Sequence, residues 1–300
     1  SGPGGTNDEL YQGRQLSVAQ LAGLTLKTPE GMEIKAHDLV ANQFVTLTDD
    51  ADESHTGLAR VLADTGHLIP VVGPRKPVYG IMARNLQQTM ALDLLLDDEV
   101  RLVSLIGPAG TGKTLMAIAA GLHKVFREER FDKLLVARPI MPLGRDIGYL
   151  PGDKDEKLSL WMQPIFDNVS YLLSTRGGGG TEADSRTAEQ RMDQLVAGGK
   201  LVMEPLTYIR GRSIPHQFMI VDEAQNLSPH EVKTIVSRVG EGTKIVLAGD
   251  IGQIDSPYLD AASNGLAHLI ERMKGQRIAG HVTMSKTERS ELASLAADML

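Results

Sequence analysis

Four short apolar runs recur in the second half of the chain, at 102–106, 134–137, 218–221 and 245–248. Each has the length of a buried strand, and a stretch long enough for a helix separates each run from the next. Upstream of the first run, Leu86, Met90 and Leu94 recur at helical spacing, which predicts a helix from Asn85 onwards. This rhythm predicts an α/β fold with a mostly parallel sheet.

The first quarter of the chain has a different pattern. Between residues 16 and 72 the apolar positions alternate with polar ones in short segments, as in 24–26 and 32–34. Pro29-Glu30-Gly31 lies between those two segments and is a turn signal. The pattern predicts a small β-rich unit, and an OB-like or SH3-like barrel and a less regular β arrangement fit it equally well.

Two prolines in Gly73-Pro74-Arg75-Lys76-Pro77 predict a boundary, because they cannot continue a regular element. We therefore expect a small β-rich domain at 16–77 and a larger domain at 78–300. The opening Ser-Gly-Pro-Gly-Gly lacks an initiator Met, so we expect 1–15 to be a cloning remnant and a flexible start. Glycine, threonine and acidic residues dominate 174–190, which predicts a mobile insertion.

Composition narrows the class of protein. The 42% of hydrophobic and 23% of charged residues are typical of a globular chain, and the absence of cysteine excludes disulfides and thiol chemistry. No apolar window is long enough to span a membrane, and the composition fits a cytoplasmic protein. The net charge of −7 comes from the first 100 residues, with 7 basic and 14 acidic side chains. This disfavours broad, non-specific nucleic-acid binding but allows a local basic groove.

One motif predicts a phosphate-binding loop. Gly107-Pro108-Ala109-Gly110-Thr111-Gly112-Lys113-Thr114 follows the apolar run 102–106 and precedes a helical pattern that starts near Leu115. In this context the backbone N–H groups of the loop and of Leu115, at the helix N-terminus, are expected to hold the phosphates of a nucleoside triphosphate such as ATP. Lys113 is expected to reach the β- and γ-phosphates, and Thr114 to offer its hydroxyl to Mg²⁺.

Two further polar tips follow apolar runs. Asp222 and Glu223 end the run 218–221, where Asp222 is expected to hold Mg²⁺ and Glu223 to orient and deprotonate the attacking water. After the run 245–248, Gln253 is expected to contact the γ-phosphate or its attacking water. The carboxyl ends of parallel strands meet at one edge of a sheet, so these groups are expected to converge.

These residues together resemble those of PhoH-like ATPases, which are in turn similar to the first motor domain of superfamily 1 helicases. The resemblance rests on Asn85-Leu86-Gln87-Gln88, the phosphate-binding loop, Asp222-Glu223-Ala224-Gln225 and Gly249-Asp250-Ile251-Gly252-Gln253. It implies a RecA-like P-loop fold, Mg-dependent ATP hydrolysis, a link to single-stranded RNA and a homo-hexameric ring. By the same resemblance, Gln88 is expected to read adenine and Gln225 to couple the nucleotide to nucleic acid.

Arginines are the candidate RNA contacts. Arg138 and Arg145 flank a loop that resembles one lying along the nucleic-acid backbone in helicases, and Arg210 and Arg212 are further candidates. Phosphoryl transfer also requires positive charge beyond Lys113 and Mg²⁺, and a ring can supply it from a neighbouring subunit. Arg289 is the first candidate for that trans arginine, followed by Arg210 and Arg212.

Two other functions stay open on the sequence. The chain could be a P-loop kinase for a small molecule, although Glu223 and Gln253 favour water as the acceptor. It could also be a nucleotide-gated assembly module with little turnover. Relatives with such an N-terminal region often carry a PIN nuclease domain upstream, but residues 1–77 hold no clustered acidic metal site, so ribonuclease activity is not expected of this chain.

Overall fold

The structure is a computed structural model that describes residues 16–17, 25–49, 52, 54–63, 65–140, 154–174, 186–209, 212–253 and 264–288. The expected flexible start and most of the expected insertion at 174–190 lie outside these residues, as do Arg145, Arg210 and Arg289. Within the described part, no helix combines the length and the apolar character needed to cross a bilayer.

The N-terminal region forms a small sheet in which every strand pairing is antiparallel. Its strands run in the order β1-β6-β5-β4-β2-β3, and the turn predicted at Pro29-Glu30-Gly31 connects β2 to β3. One face has its own apolar core around Val45 and Leu68, whereas Phe44 and Leu58 join the main core of the molecule. The strands are β1 (Leu16–Ser17), β2 (Thr25–Lys27), β3 (Glu33–Ile34), β4 (Phe44–Thr48), β5 (Thr56–Val61) and β6 (His67–Pro70).

The second sheet has six strands in the order β12-β7-β11-β10-β8-β9, and all five pairings are parallel. The four predicted strands are confirmed, and two outer strands join them, β9 and β12. β11 lies between β7 and β10, so the three polar tips leave adjacent strands at one edge of the sheet. The strands are β7 (Leu102–Ile106), β8 (Lys133–Arg138), β9 (Leu201–Pro205), β10 (Gln217–Val221), β11 (Lys244–Gly249) and β12 (Ala279–Thr283).

Within the described part of the chain, six α-helices cover the parallel sheet. The first four contribute to the larger core on one face, and the last two contribute to the smaller core on the other. They are α1 (Leu86–Leu96), α2 (Lys113–Leu122), α3 (Lys154–Leu173), α4 (Ala188–Ala197), α5 (Pro229–Ser237) and α6 (Gly265–Met273). A π-helical turn, His123–Arg127, extends α2, and short 3₁₀ turns lie at Ala36–Asp38, Leu206–Tyr208 and Ala224–Asn226.

Local capping explains where two of these helices start. The side chain of Asn85 accepts a hydrogen bond from the backbone N–H of Gln88 and so caps α1 where the sequence predicts a helix. At α5, Ser228 and Glu231 form a capping box, with proline at the first helical position.

A buried ion-pair cluster, which we call the junction cluster, joins the two sheets. Its members are Asn42, Arg60, Asp93 and Asp97. Arg60 on β5 donates from Nε to Asp93 Oδ2 at 2.8 Å and from Nη1 to Asn42 Oδ1 at 2.7 Å, and Nη2 contacts Asp97. Asn42 in turn donates to the backbone carbonyl of Ala279 on β12 at 2.8 Å. The small sheet is therefore fastened to α1 and to the edge of the parallel sheet.

Candidate nucleotide site

The phosphate-binding loop lies between β7 and α2, as the motif predicts. Gly107 passes so close to the 284–288 segment that a Cβ there would lie 2.3 Å from the backbone oxygen of Met284. Gly112 has φ near +86° and caps α2, a conformation that favours glycine. The helix then begins at Lys113, so its free N–H groups and partial positive charge face the loop. This arrangement is suited to binding an anion such as a phosphate.

Two oxygen ligands for a cation converge at this loop. Thr114 Oγ1 donates a hydrogen bond to Asp222 Oδ1 at 2.8 Å, although the two residues lie on different elements. The Asp222 backbone N–H donates to Ala137 O at 2.8 Å and continues the pairing between β10 and β8. A threonine hydroxyl beside a carboxylate is a fitting donor set for Mg²⁺, which prefers oxygen ligands. Lys113 Nζ lies 3.4 Å from Pro108 O, within the loop it is expected to serve.

Glu223 has an unusual backbone and a perturbed carboxyl group. Its φ of 56° is left-handed, which is rare for a residue with a side chain and is often found at functional sites. Burial and the charge of Asp222 raise the pKa of Glu223, while a hydrogen bond from Gln225 and the charges of Arg138 and Lys113 oppose that rise. A raised pKa makes the carboxylate a stronger base towards water.

Gln225 connects the tips of β10 and β11. Its side chain is fully buried, with Nε2 donating to Glu223 Oε2 at 2.6 Å and to Gln253 O at 3.2 Å. Its Oε1 accepts from the backbone N–H of Asp250 at 3.1 Å. Gln253 itself is exposed. The structure thus brings Glu223, Gln225 and Gln253 together, through the side chain of Gln225.

Arg138, the last residue of β8, lies beside the same carboxylates. Its Nε is 3.3 Å from Asp222 Oδ2, and its Nη2 is 3.6 Å from Glu223 Oε1. Nη1 donates to the backbone oxygen of Trp161 at 2.7 Å, and the guanidinium lies over the Trp161 ring. The sequence singled out Arg138 as an RNA contact, and that role stays a prediction. In the structure its partners are protein groups at the nucleotide site.

The side chain of Gln88 connects the start of α1 to the phosphate-binding loop. Its Oε1 accepts from the backbone N–H of Arg84 at 2.8 Å, and its Nε2 donates to the backbone oxygen of Thr111 at 3.1 Å. The residue is 6% exposed. Both ends of the amide are therefore bonded to backbone, one of them in the phosphate-binding loop. Recognition of adenine by Gln88 stays a prediction.

Comparison with known proteins agrees with this geometry. Residues 80–299 match the family model described as PhoH-like protein. The chain belongs to the PhoH-like family. The match confirms the resemblance found from the motifs, and together with the six-stranded parallel sheet it confirms the expected P-loop fold. This PhoH-like chain is accordingly a nucleotide-binding P-loop protein.

Individual relatives show how far the similarity extends. The chain is 48% identical over 309 aligned residues to Protein PhoH2 of Bacillus subtilis, covering 98% of this chain and 65% of the relative. It is 36% identical over 301 residues to Protein PhoH2 of Mycolicibacterium smegmatis, covering 97% and 65%. The chain thus spans less than two thirds of the length of either relative. A solved structure of Pif1 helicase from Candida albicans matches at 17% identity and a TM-score of 0.35, covering 73% of this chain and 43% of that one.

A segment that the sequence analysis missed borders the site. The 284–288 segment follows β12 and runs along the loop, with Met284 N–H donating to Ile106 O at 2.6 Å and Glu288 N–H to Gly110 O at 2.9 Å. Glu288 Oε1 also accepts from Asn85 Nδ2 at 2.8 Å. The motif Asn85-Leu86-Gln87-Gln88 of this PhoH-like chain was singled out for its resemblance, but nothing in its pattern indicated a partner 203 residues away.

The remaining predicted site residues fall into two groups. Arg212 is exposed and donates to Glu204 Oε2 at 3.1 Å, and Leu115 is partly buried on α2. Arg145, Arg210 and Arg289 lie outside the described residues. Among the described residues of this PhoH-like chain, no group of three histidine or carboxylate side chains could form another metal site.

Proposed function

We propose that the chain hydrolyses ATP with Mg²⁺ as cofactor. Thr114 and Asp222 would hold the ion, which neutralises phosphate charge when bound, and Lys113 would bind the β- and γ-phosphates. Glu223 would accept a proton from a water whose oxygen bonds to the γ-phosphorus. The bond from that phosphorus to the bridging oxygen breaks, and its electron pair stays on ADP.

The observation that carries this proposal is the contact of Thr114 with Asp222 at 2.8 Å. It places the end of one motif against the end of another that is more than 100 residues away. Glu223, the expected base, follows directly and is held by Gln225. Glu223 and Gln225 are suited to hold a water molecule. A small-molecule kinase would have to place the hydroxyl of its acceptor there instead, so the arrangement favours hydrolysis.

Steady-state ATP turnover tests the proposal. Lys113→Ala is expected to abolish turnover, since the loop loses its charged phosphate contact. Glu223→Gln is expected to bind ATP but to hydrolyse it roughly a hundredfold or more slowly, because the base is lost. Lys133→Ala is the matched control, since Lys133 is exposed at the opposite end of β8.

Other outcomes of this experiment favour other functions. A phosphorylated acceptor in place of free phosphate would replace the hydrolase by a small-molecule kinase. A stable ATP-bound assembly with negligible turnover would instead favour the nucleotide-gated assembly module.

We further propose that turnover is coupled to single-stranded RNA in a homo-hexameric ring, as the motif resemblance implies. The proposed RNA contacts are Arg138, Arg145, Arg210 and Arg212, and Arg289 is the first candidate for the arginine in trans. RNA should stimulate turnover in a hexameric peak measured by light scattering. If no RNA stimulates turnover and light scattering shows a monomer, the proposed RNA coupling and the proposed ring are contradicted. The proposal of ATP hydrolysis would not be affected.

The domain content and the cellular location of the full-length protein are a separate proposal. The chain spans 65% of the length of two curated relatives, and the resemblance suggests a PIN nuclease domain upstream in the full-length protein. We also propose a cytoplasmic location, on composition. Mass spectrometry of the native protein from cell fractions tests both, because it gives the full length and the compartment together.

A further inference from the structure

Arg138 is paired more loosely than a buried arginine usually is. Only 13% of its side chain is exposed, yet its contacts with carboxylates are long. Nε lies 3.3 Å from Asp222 Oδ2, and Nη2 lies 3.6 Å from Glu223 Oε1. Its Nε is buried and makes no well-aligned hydrogen bond. A buried charge is stable in one position when its hydrogen bonds are short and complete. Arg138 lacks that completeness on the side that faces the nucleotide site.

The residue is also one side chain away from the proposed γ-phosphate position. One oxygen of Asp222 accepts from Thr114, while the other faces Arg138. A single carboxylate therefore separates the arginine from the threonine that is the proposed Mg²⁺ ligand. In the proposed function the γ-phosphate of ATP would bind the same ion, which would bring it close to the guanidinium. Phosphate is a favourable partner for arginine because it accepts two parallel hydrogen bonds.

On its other side, Arg138 is bonded to Trp161 of α3. Arg138 Nη1 donates to Trp161 O at 2.7 Å, and the guanidinium carbon lies 5.2 Å from the centre of the indole ring. Trp161 Nε1 in turn donates to Pro139 O at 3.0 Å, one residue beyond Arg138. Movement of the guanidinium therefore has to change the surroundings of the indole. Trp161 is the only tryptophan in the chain.

We propose that Arg138 is an arginine in cis that turns from Asp222 and Glu223 to the γ-phosphate when Mg-ATP binds, and that Trp161 senses the exchange. The inference rests on the proposed function, since it requires ATP at the loop. With the ion bound, Asp222 would be one of its ligands and would hold Arg138 less strongly, and Arg138 would be able to bind the γ-phosphate instead. Arg138 then adds positive charge to the transferring phosphoryl group, besides any arginine from a neighbour. The same movement reports the nucleotide state to α3.

Tryptophan fluorescence of the full chain tests this without labels. A non-hydrolysable ATP analogue with Mg²⁺ is expected to change the emission of Trp161, and Mg-ADP to change it much less, because ADP lacks the γ-phosphate. Arg138→Gln is expected to lose the difference between the two nucleotides. In calorimetry the same variant should bind the ATP analogue more weakly and ADP as the wild type does. Arg138→Lys should restore only part of both effects, since lysine makes no bidentate or stacked contact.

The controls separate the possible failures. Arg130→Gln replaces a mostly exposed arginine just before β8 and should behave as the wild type. Thermal melting of each variant shows whether Arg138→Gln is folded, and Arg138→Lys answers the question if it is not. Binding of neither nucleotide in calorimetry would overturn the proposed function and this inference with it. Normal binding with an emission that is the same for both nucleotides, or that Arg138→Gln leaves unaltered, would overturn the inference alone.

Discussion

Two arginines in this molecule each lie between two carboxylates, and the two arrangements differ. Arg60, in the junction cluster, is 6% exposed and donates at 2.8 Å to Asp93 and at 2.7 Å to Asn42, with Asp97 on its third nitrogen. Arg138 is 13% exposed and lies 3.3 Å and 3.6 Å from its two carboxylates. Each guanidinium nitrogen of Arg60 donates to a partner, whereas Nε of Arg138 makes no aligned hydrogen bond.

The difference separates a charge that stabilises the fold from one that is free to change partners. Burial raises the pKa of Asp93, but the Arg60 charge and hydrogen bond oppose that rise. Burial also acts to raise the pKa of Asp97, yet hydrogen bonds from Arg60 and from the Glu99 backbone lower it below its usual value. The junction therefore depends on Arg60 to keep its carboxylates charged. At the nucleotide site, in the proposed function, Mg²⁺ would bind Asp222 and the γ-phosphate would become the partner of Arg138.

The largest expected effect follows from removing Arg60. Arg60→Met removes the buried cation from the partly exposed carboxylates of Asp93 and Asp97, which is expected to cost about 3 kcal/mol of unfolding free energy, the lower end of the range for a broken buried ion pair. Urea unfolding measures this, with Arg138→Met as the matched variant. Arg138→Met should cost clearly less, because the carboxylates of the nucleotide site lose a weaker partner. A larger loss from Arg138→Met than from Arg60→Met would contradict the comparison.

The same variant tests the proposed division of the chain at 16–77 and 78–300. If the two parts are independently stable, Arg60→Met should unfold in two transitions. Circular dichroism and Trp161 fluorescence monitor them. A single weakened transition would show that they unfold as one unit.

A smaller effect is expected from Gln225, the neutral buried bridge of the nucleotide site. Gln225→Met preserves size but leaves the Asp250 N–H and the Gln253 oxygen without their side-chain partner, at a cost of about 1–3 kcal/mol. Turnover should also fall, because Glu223 loses the group that orients it. Urea unfolding and ATP turnover measure the two effects. Gln253→Met is the control for stability alone, since that side chain is exposed. Equal unfolding free energies for the two variants would refute the bridging role.

The nucleotide site was largely predictable from the sequence, and the junction was not. The strand β10 is buried on both faces, so it reads as the apolar run 218–221 and places Asp222 at its end. The glycine spacing of the loop reflects backbone requirements that few other sequences meet. From these two facts the contact of Thr114 with Asp222 could be expected before the structure was known.

The missed features lack such signals. β9 is at the edge of the sheet and partly exposed, and β12 includes Gly280 and His281, so neither forms an apolar run. Arg60 follows Ala59 in a strand with no motif, and its two carboxylate partners lie more than 30 residues away. Such ion pairs depend on how two sheets pack, which no local pattern encodes. Gln88 shows a related limit, since burial of its amide against backbone is a tertiary property.

A second buried basic side chain lies beside the junction cluster, and its titration gives the smallest expected effect per pH unit. Lys244, the first residue of β11, donates from Nζ to Leu94 O at 2.6 Å and to Asp97 O at 2.7 Å. Burial lowers the pKa of Lys244 to about 7; nearby Asp97 and Asp98 act against this, and Lys124 and Arg60 add to it. Above that pH the folded chain binds fewer protons at this site than the unfolded chain does. Stability should therefore rise with pH between about 7 and 10, as the cost of burying the charge is removed.

Urea unfolding at pH 7, 8 and 9 measures that rise, which for one group is at most about 1.4 kcal/mol per pH unit. Lys244→Met should flatten the dependence, because it removes the titrating group. Lys133→Met is the control, since Lys133 is the first residue of β8 at the same end of the sheet but is exposed. If the wild type and Lys244→Met rise equally with pH, Lys244 stays charged in the folded chain. Two positive charges would then lie beside Asp93 and Asp97. The conclusion that these carboxylates depend on Arg60 to stay charged would have to be revised.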